Sequence, residues 1–180
     1  MLIHVTGASG SGTSSLSAAL ASELDGVHLE ADDYFWLPTS PPFTAKRDRT
    51  ERLSSLLADL RANTDVVLAG SIVDWGAELE NSFDLIVFLY LDAETRIERL
   101  RIREVERFGH ANPAFLEWAA QYDEGPSEGR SLAKHRAWLG ARVCPIIELH
   151  GDFTVSERVA ATLRKAPNNC FKRNGLRPAA

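Results

Sequence analysis

The chain has 180 residues, 44% of them hydrophobic, with 20 basic against 25 acidic side chains and a net charge of −5. That length is about right for one domain with a substantial core, and the acidic balance argues against a general nucleic-acid or anionic-membrane binder, so any cationic site must be local. No apolar run approaches the roughly 20 residues of a membrane span and no charged leader precedes the first strand. Cys144 and Cys170 lack metal-ligand spacing, so the expected setting is reduced and cytoplasmic, with the two thiols as core filler and tail residue.

In chain order, Met1-Leu2-Ile3-His4-Val5 is an apolar run that predicts a strand, and Leu16, Ala19, Leu20 and Leu24 fall on one helical face. Between them lies Gly7-Ala8-Ser9-Gly10-Ser11-Gly12-Thr13-Ser14. Strand, glycine loop and helix are the setting of a phosphate-binding P-loop, in which Gly7, Gly10 and Gly12 let the backbone turn its N–H groups inward on a polyphosphate. Ser9, Ser11, Thr13, Ser14 and Ser15 complete the expected binding set for ATP, and Ser14 stands where the Mg²⁺-binding hydroxyl belongs. The usual lysine, which reaches the β- and γ-phosphates, is replaced by Thr13.

Val27-His28-Leu29 predicts a second strand running into Glu30-Ala31-Asp32-Asp33, and a loop through Pro38, Pro41 and Pro42 follows. Leu53, Leu56, Leu57 and Leu60 recur at helical spacing, and Val66 to Ala69 reads as a buried strand. Leu85 to Leu91 reads as a central strand buried on both faces, with Asp92 capping a helix from Ala93. Pro145 to Leu149 is a fifth strand, and Thr154-Val155-Ser156-Glu157 is a capping box opening the last helix. The expected fold is therefore α/β, a three-layer P-loop nucleoside triphosphate hydrolase-type arrangement with a five-stranded parallel sheet, helices on both faces and a small mobile lid. Residues 1–165 form the expected domain, with the lid at about 104–130, and loss of periodicity makes 166–180 a disordered tail.

With these elements in place, the chain resembles the P-loop small-molecule kinases over roughly Met1 to Leu163, a group including adenylate, shikimate, gluconate, uridine and nicotinamide riboside kinases. The P-loop together with Asp32-Asp33-Tyr34-Phe35-Trp36 is similar to a bacterial set of adenylate kinase-related proteins. The carboxylates lie at the carboxyl end of strand two, beside the P-loop in this architecture. There a carboxylate can orient an acceptor hydroxyl, take its proton or hold Mg²⁺ through water, the use to which uridine and nicotinamide riboside kinases put an aspartate. Adjacent carboxylates on an extended segment point to opposite sides, which makes Asp32 the first candidate for catalysis and metal contact and Asp33 the second. Tyr34, Phe35 and Trp36 stack on an acceptor ring or pack the core, and Trp75 lines the acceptor pocket or anchors its loop. Ala69-Gly70-Ser71 stands where adenylate kinases carry a carboxylate, which puts more weight on Asp32 or Asp74.

Arg96, Arg99, Arg103 and Arg107 fall within about 80° of one helix, a cationic stripe that invites phosphate, although interleaved glutamates also fit a solvated face of ion pairs. Arg99-Leu100-Arg101-Ile102-Arg103 is similar to the lid entry of adenylate kinases, which implies that Arg99 packs on the nucleotide base and Arg103 contacts the transferring phosphate. Lys46, Arg47 and Arg49 lie where those enzymes hold the acceptor's phosphate, or are solvated charges. Arg130 and Lys134 are candidates to replace the missing lysine. Two functions are expected: ATP- and Mg²⁺-dependent phosphoryl transfer to a small acceptor, a nucleoside or nucleotide, or a nucleotide-binding sensor or partner-binding protein with weak or lost catalysis. Oligomeric state is left open by the sequence.

Overall fold

The computed structural model of the chain describes residues 1–125 and 129–167. Cys170 and the expected tail from residue 168 onward lie outside the described residues. The elements are β1 (Leu2–Gly7), α1 (Thr13–Glu23), β2 (Val27–Glu30), α2 (Ala31–Phe35), α3 (Arg49–Ala62), β3 (Val66–Ala69), α4 (Ala77–Glu80), β4 (Leu85–Tyr90), α5 (Ala93–Phe108), α6 (Pro113–Ala120), α7 (Leu132–Gly140), β5 (Ile146–His150) and α8 (Val155–Lys165). Among the described residues no helix is long and apolar enough to cross a membrane.

The apolar runs become five strands in the order β2-β3-β1-β4-β5, all parallel. Side chains alternate across such a sheet, and both faces are filled. Leu85, Val87 and Leu89 join Leu16, Leu20 and Leu24 on the α1 side, whereas Ile86 and Phe88 join Leu56, Leu60 and Leu139 on the other. The helices begin where capping predicts: Asp48 accepts from the N–H groups of Thr50 and Glu51, Asp92 from Thr95, and Thr154 and Glu157 form the full capping box.

Two sequence expectations change. Asp32 and Asp33 lie on the short helix α2, not on an extended segment, so their side chains diverge by about 100° and do not point to opposite sides. Acidic residues in a first turn favour that helix through its dipole. The arginine stripe is also not uniform. Arg96 is fully buried, donating from Nε to Leu91 O at 3.0 Å, from Nη1 to Ala119 O at 3.0 Å and from Nη2 to Asp123 at 3.2 Å. It pins α5 to the end of α6, while Arg107 lies over the rings of Phe43 and Phe108. The start of the expected lid, 104–108, is the last turn of α5.

Two histidines are buried completely. His4 packs against Phe83 and Trp138 with Nδ1 3.2 Å from Leu68 O, and burial lowers its pKa to about 3. His135 is lowered to about 4, again by burial first and by Arg130 second. Both fold as neutral rings, so between pH 6.5 and about 4 the unfolded chain binds protons that the native state refuses, and stability falls as pH falls through that window. Each ring contributes about 1.4 kcal/mol per pH unit there. Because the unfolded rings are already half protonated at pH 6.5, urea unfolding is expected to lose about 3 kcal/mol between pH 6.5 and 5 from both rings together, and His4→Asn should remove about half of that slope. An equal slope in the variant would count against the assignment.

Candidate active site at the carboxyl edge of the sheet

Because the strands are parallel, Gly7, Glu30, Ala69, Tyr90 and His150 end along one edge, and the P-loop leaves from the central strand. Gly10 and Gly12 adopt φ +84° and +94°, with Gly12 as the N-cap of α1. A Cβ at Gly10 would lie 2.6 Å from Arg96 O, so the loop can pass over α5 only as bare backbone. Gly12 supplies no capping side chain. The first-turn N–H groups of Thr13, Ser14 and Ser15, which lack helical partners, are therefore available to an anion at the positive helix end. Ser11 Oγ is buried with no hydrogen-bond partner, a further unmet polar group in the cradle. Gly10→Ala is expected to cost about 2 kcal/mol or more, combining left-handed strain with a backbone clash. Chemical denaturation of the variant checks this, and wild-type stability would mean the loop yields easily.

Where lysine is absent, cations arrive from distant parts of the chain. Arg130 donates from Nη2 to Ser9 Oγ at 3.2 Å and stacks 5.6 Å from the Trp118 ring. Burial lowers its pKa, and the charge of Asp32 opposes that. Arg158, from α8, donates to Ser11 O at 2.6 Å and to Gly151 O at 3.1 Å. Arg99 is paired with Asp152 and approaches Gly12 from the same side as Arg158. Arg103 stays 53% exposed with Glu104 3.9 Å away, and among the described residues no hydrogen bond joins it to the loop. Lys134 turns away, donating to Gly129 O at 2.8 Å.

The acidic side of the site includes Glu30, which sequence reading passed over by ending strand two at Leu29. Burial raises its pKa, the Ser14 hydroxyl and His28 oppose the shift, and the charges of Asp32 and Asp33 add to it. Glu30 thus meets the Ser14 hydroxyl, within the field of Asp32 and Asp33. Among the described residues no group of three His, Cys, Asp or Glu has ligand geometry. In the place of the absent β3 carboxylate, Ser71 Oγ lies 3.2 Å from His135 Nε2, and His135 Nδ1 lies 2.7 Å from the Tyr122 hydroxyl.

The residues expected at the acceptor are divided. The Tyr34 hydroxyl donates to Asp59 at 2.5 Å, which fixes it to α3. Arg47 donates to Tyr34 O at 3.1 Å and to Glu51 at 2.6 Å, and Arg49 donates to Asp74 O at 2.9 Å. Trp75 is buried and stacked on Phe35 at 6.2 Å. Trp36 meets Phe35 and Phe43 edge-on at 4.8 and 6.0 Å. Arg158 and Glu30 carried no signal of their own in the sequence, since each becomes part of the site only through packing.

Comparison with known proteins agrees with this architecture. The AAA domain family matches residues 3–110. A Bacillus subtilis (strain 168) protein described as uncharacterized protein YqaC is 41% identical over 177 residues, covering 93% of this chain and 98% of its own. Similar solved structures include a gluconokinase from Sinorhizobium meliloti 1021, with 22% identity, a TM-score of 0.56 and coverage of 94% and 95% of the two chains. A shikimate kinase from Acinetobacter baumannii in complex with shikimate has 18% identity, a TM-score of 0.59 and coverage of 98% and 95%. A likeness at these identities is one of fold.

Proposed function

This chain belongs to the AAA domain family and has the P-loop kinase-like fold, and from that premise we propose that it is an ATP-dependent phosphotransferase acting on a small-molecule acceptor, in the expected case a nucleoside or nucleotide. The observation that carries the reading is the uncapped first turn of α1 behind the glycine loop, with Arg130 at Ser9 and Glu30 at Ser14. The N–H groups from Gly10 to Ser14 hold the donor phosphates. Arg130 supplies, from the lid, the positive charge that lysine supplies in other P-loops, and its bidentate guanidinium suits oxygens on which negative charge develops. Asp32, at the start of α2, orients the acceptor and accepts its proton, with Asp33 second. Arg158 holds the loop through Ser11 O, Arg99 packs on the donor base, and Arg103 is kept as a candidate for contact with the transferring phosphate. Ser14, with Glu30 and Asp32 reached through water, would hold Mg²⁺, which when bound neutralises charge on the phosphate oxygens.

Thr13 favours a second reading, a nucleotide-binding sensor or partner-binding protein without efficient chemistry. Calorimetric titration with ATP, ADP, GTP and GDP, followed by ADP release assayed with Mg²⁺ across candidate acceptors, separates the two. Binding without any acceptor-dependent ADP release selects the second, and failure of every nucleotide to bind below the millimolar range removes both.

A further inference from the structure

Arg52, in the first turn and a half of α3, is 8% exposed. Its guanidinium carbon lies 4.5 Å from the Trp75 ring and 4.9 Å from the Phe35 ring, so the group rests against both of these stacked aromatic rings. Among the described residues no carboxylate lies within ion-pair distance of it and no hydrogen bond engages its side chain. Its Nε is buried with no partner. Asp48, whose charge acts on it, is already committed to the N–H groups of Thr50 and Glu51. Arg49 adds like charge, and Lys46 Nζ lies 5.7 Å from the centroid of the Phe35 ring. A buried guanidinium without an anion is costly to maintain, and cation–π contacts compensate only in part, at about 1–2 kcal/mol.

From this arrangement we infer that Arg52 is a binding residue for the acceptor, and that the acceptor carries a carboxylate or phosphate held there against Phe35 and Trp75. The inference rests on the kinase reading and sharpens it. Asp32 and Phe35 are three residues apart on α2, hence on one face and about 5–6 Å apart at their Cβ atoms. Phe35, which Arg52 touches, therefore shares a helical face with Asp32, which places the acceptor's anionic group on the same side of α2 as its reacting oxygen and fits a compact acid or phosphate ester. A neutral nucleoside would leave the guanidinium unpaired. Neither composition nor motif marks Arg52, because it reads in the sequence as one more charge on a solvated helix face.

The test titrates acceptor pairs into the ADP-loaded protein, so that the P-loop is filled and does not report on added phosphate. The carboxylate arm sets gluconate against glucose and shikimate against its methyl ester, and the phosphate arm sets nucleoside monophosphates against the parent nucleosides. The expected result is that at least one anion binds below 1 mM and about 30-fold more tightly than its neutral partner, the range of a charge-assisted hydrogen bond. Arg52→Met should abolish that preference and Arg52→Lys restore part of it. The inference is overturned if no anion in either arm binds below 10 mM, if neutral partners bind equally, or if Arg52→Met keeps the preference. Should Arg52→Met not fold, the wild-type comparison of anion with neutral partner decides alone. Anion binding without any transfer from ATP would sink the kinase reading and leave this site standing, whereas equal transfer to neutral and anionic acceptors would do the reverse.

Discussion

Arg130→Ala is expected to lower phosphoryl transfer by about 10²–10³-fold, the usual consequence of removing one preorganised donor from a site of developing charge. The guanidinium reaches Ser9 Oγ from a segment far along the chain and is held between Trp118 and the charge of Asp32. If it takes the role that Thr13 cannot, its loss should appear mainly in kcat, with ATP affinity carried by the loop backbone and changed much less. Thr13→Lys is the complementary change. In the wild-type background a second cation beside Arg130 should bring less than about a tenfold gain, about 1.4 kcal/mol of barrier, or a loss through like-charge repulsion. In the Arg130→Ala background the same lysine should recover activity. Steady-state kinetics of the two single variants and the double variant form a cycle, and additive effects would show that positions 13 and 130 do not share one role.

The second large effect is expected from Asp32→Asn, which should reduce transfer by about 10²–10⁴-fold while nucleotide binding stays close to wild type. Asparagine preserves the shape and the first-turn position on α2 but cannot accept the acceptor's proton. Glu30→Gln is the necessary companion, because Glu30 lies against Ser14 and shares the field of Asp32 and Asp33. Its loss should weaken the dependence on Mg²⁺ more than it lowers turnover at saturating metal. Unchanged turnover in Asp32→Asn would move the proton-accepting role to Asp33 or Glu30, and Mg²⁺ titrations of each variant would tell these apart.

The order of strands and helices was legible in the residues, since Leu85 to Tyr90 has too many apolar side chains for a half-exposed strand and Asp92 and Thr154 announce their helices. Departures occurred where short-range rules compete. Asp32 and Asp33 follow a strand and precede aromatic residues, which reads as extended chain, yet Ala31 buried against the bare backbone at Gly70 lets a helical turn begin. The four arginines of α5 share one helical sector by arithmetic, but only the fold decides that Arg96 lies beneath α6, that Arg99 meets Asp152 and that Arg103 remains exposed.

By itself, then, the sequence determined the parallel α/β sheet, the glycine loop after its first strand and the anion-seeking helix end, because strand period, glycine conformational freedom and capping are properties of a few neighbouring residues. The tertiary structure alone decided which charges complete the site. Arg130 at Ser9, Arg158 at Ser11, Glu30 at Ser14 and Arg52 against Phe35 and Trp75 join groups from separate elements. The energy of a charge depends on burial and on partners within a few ångströms, and both are set only when the helices pack on the sheet.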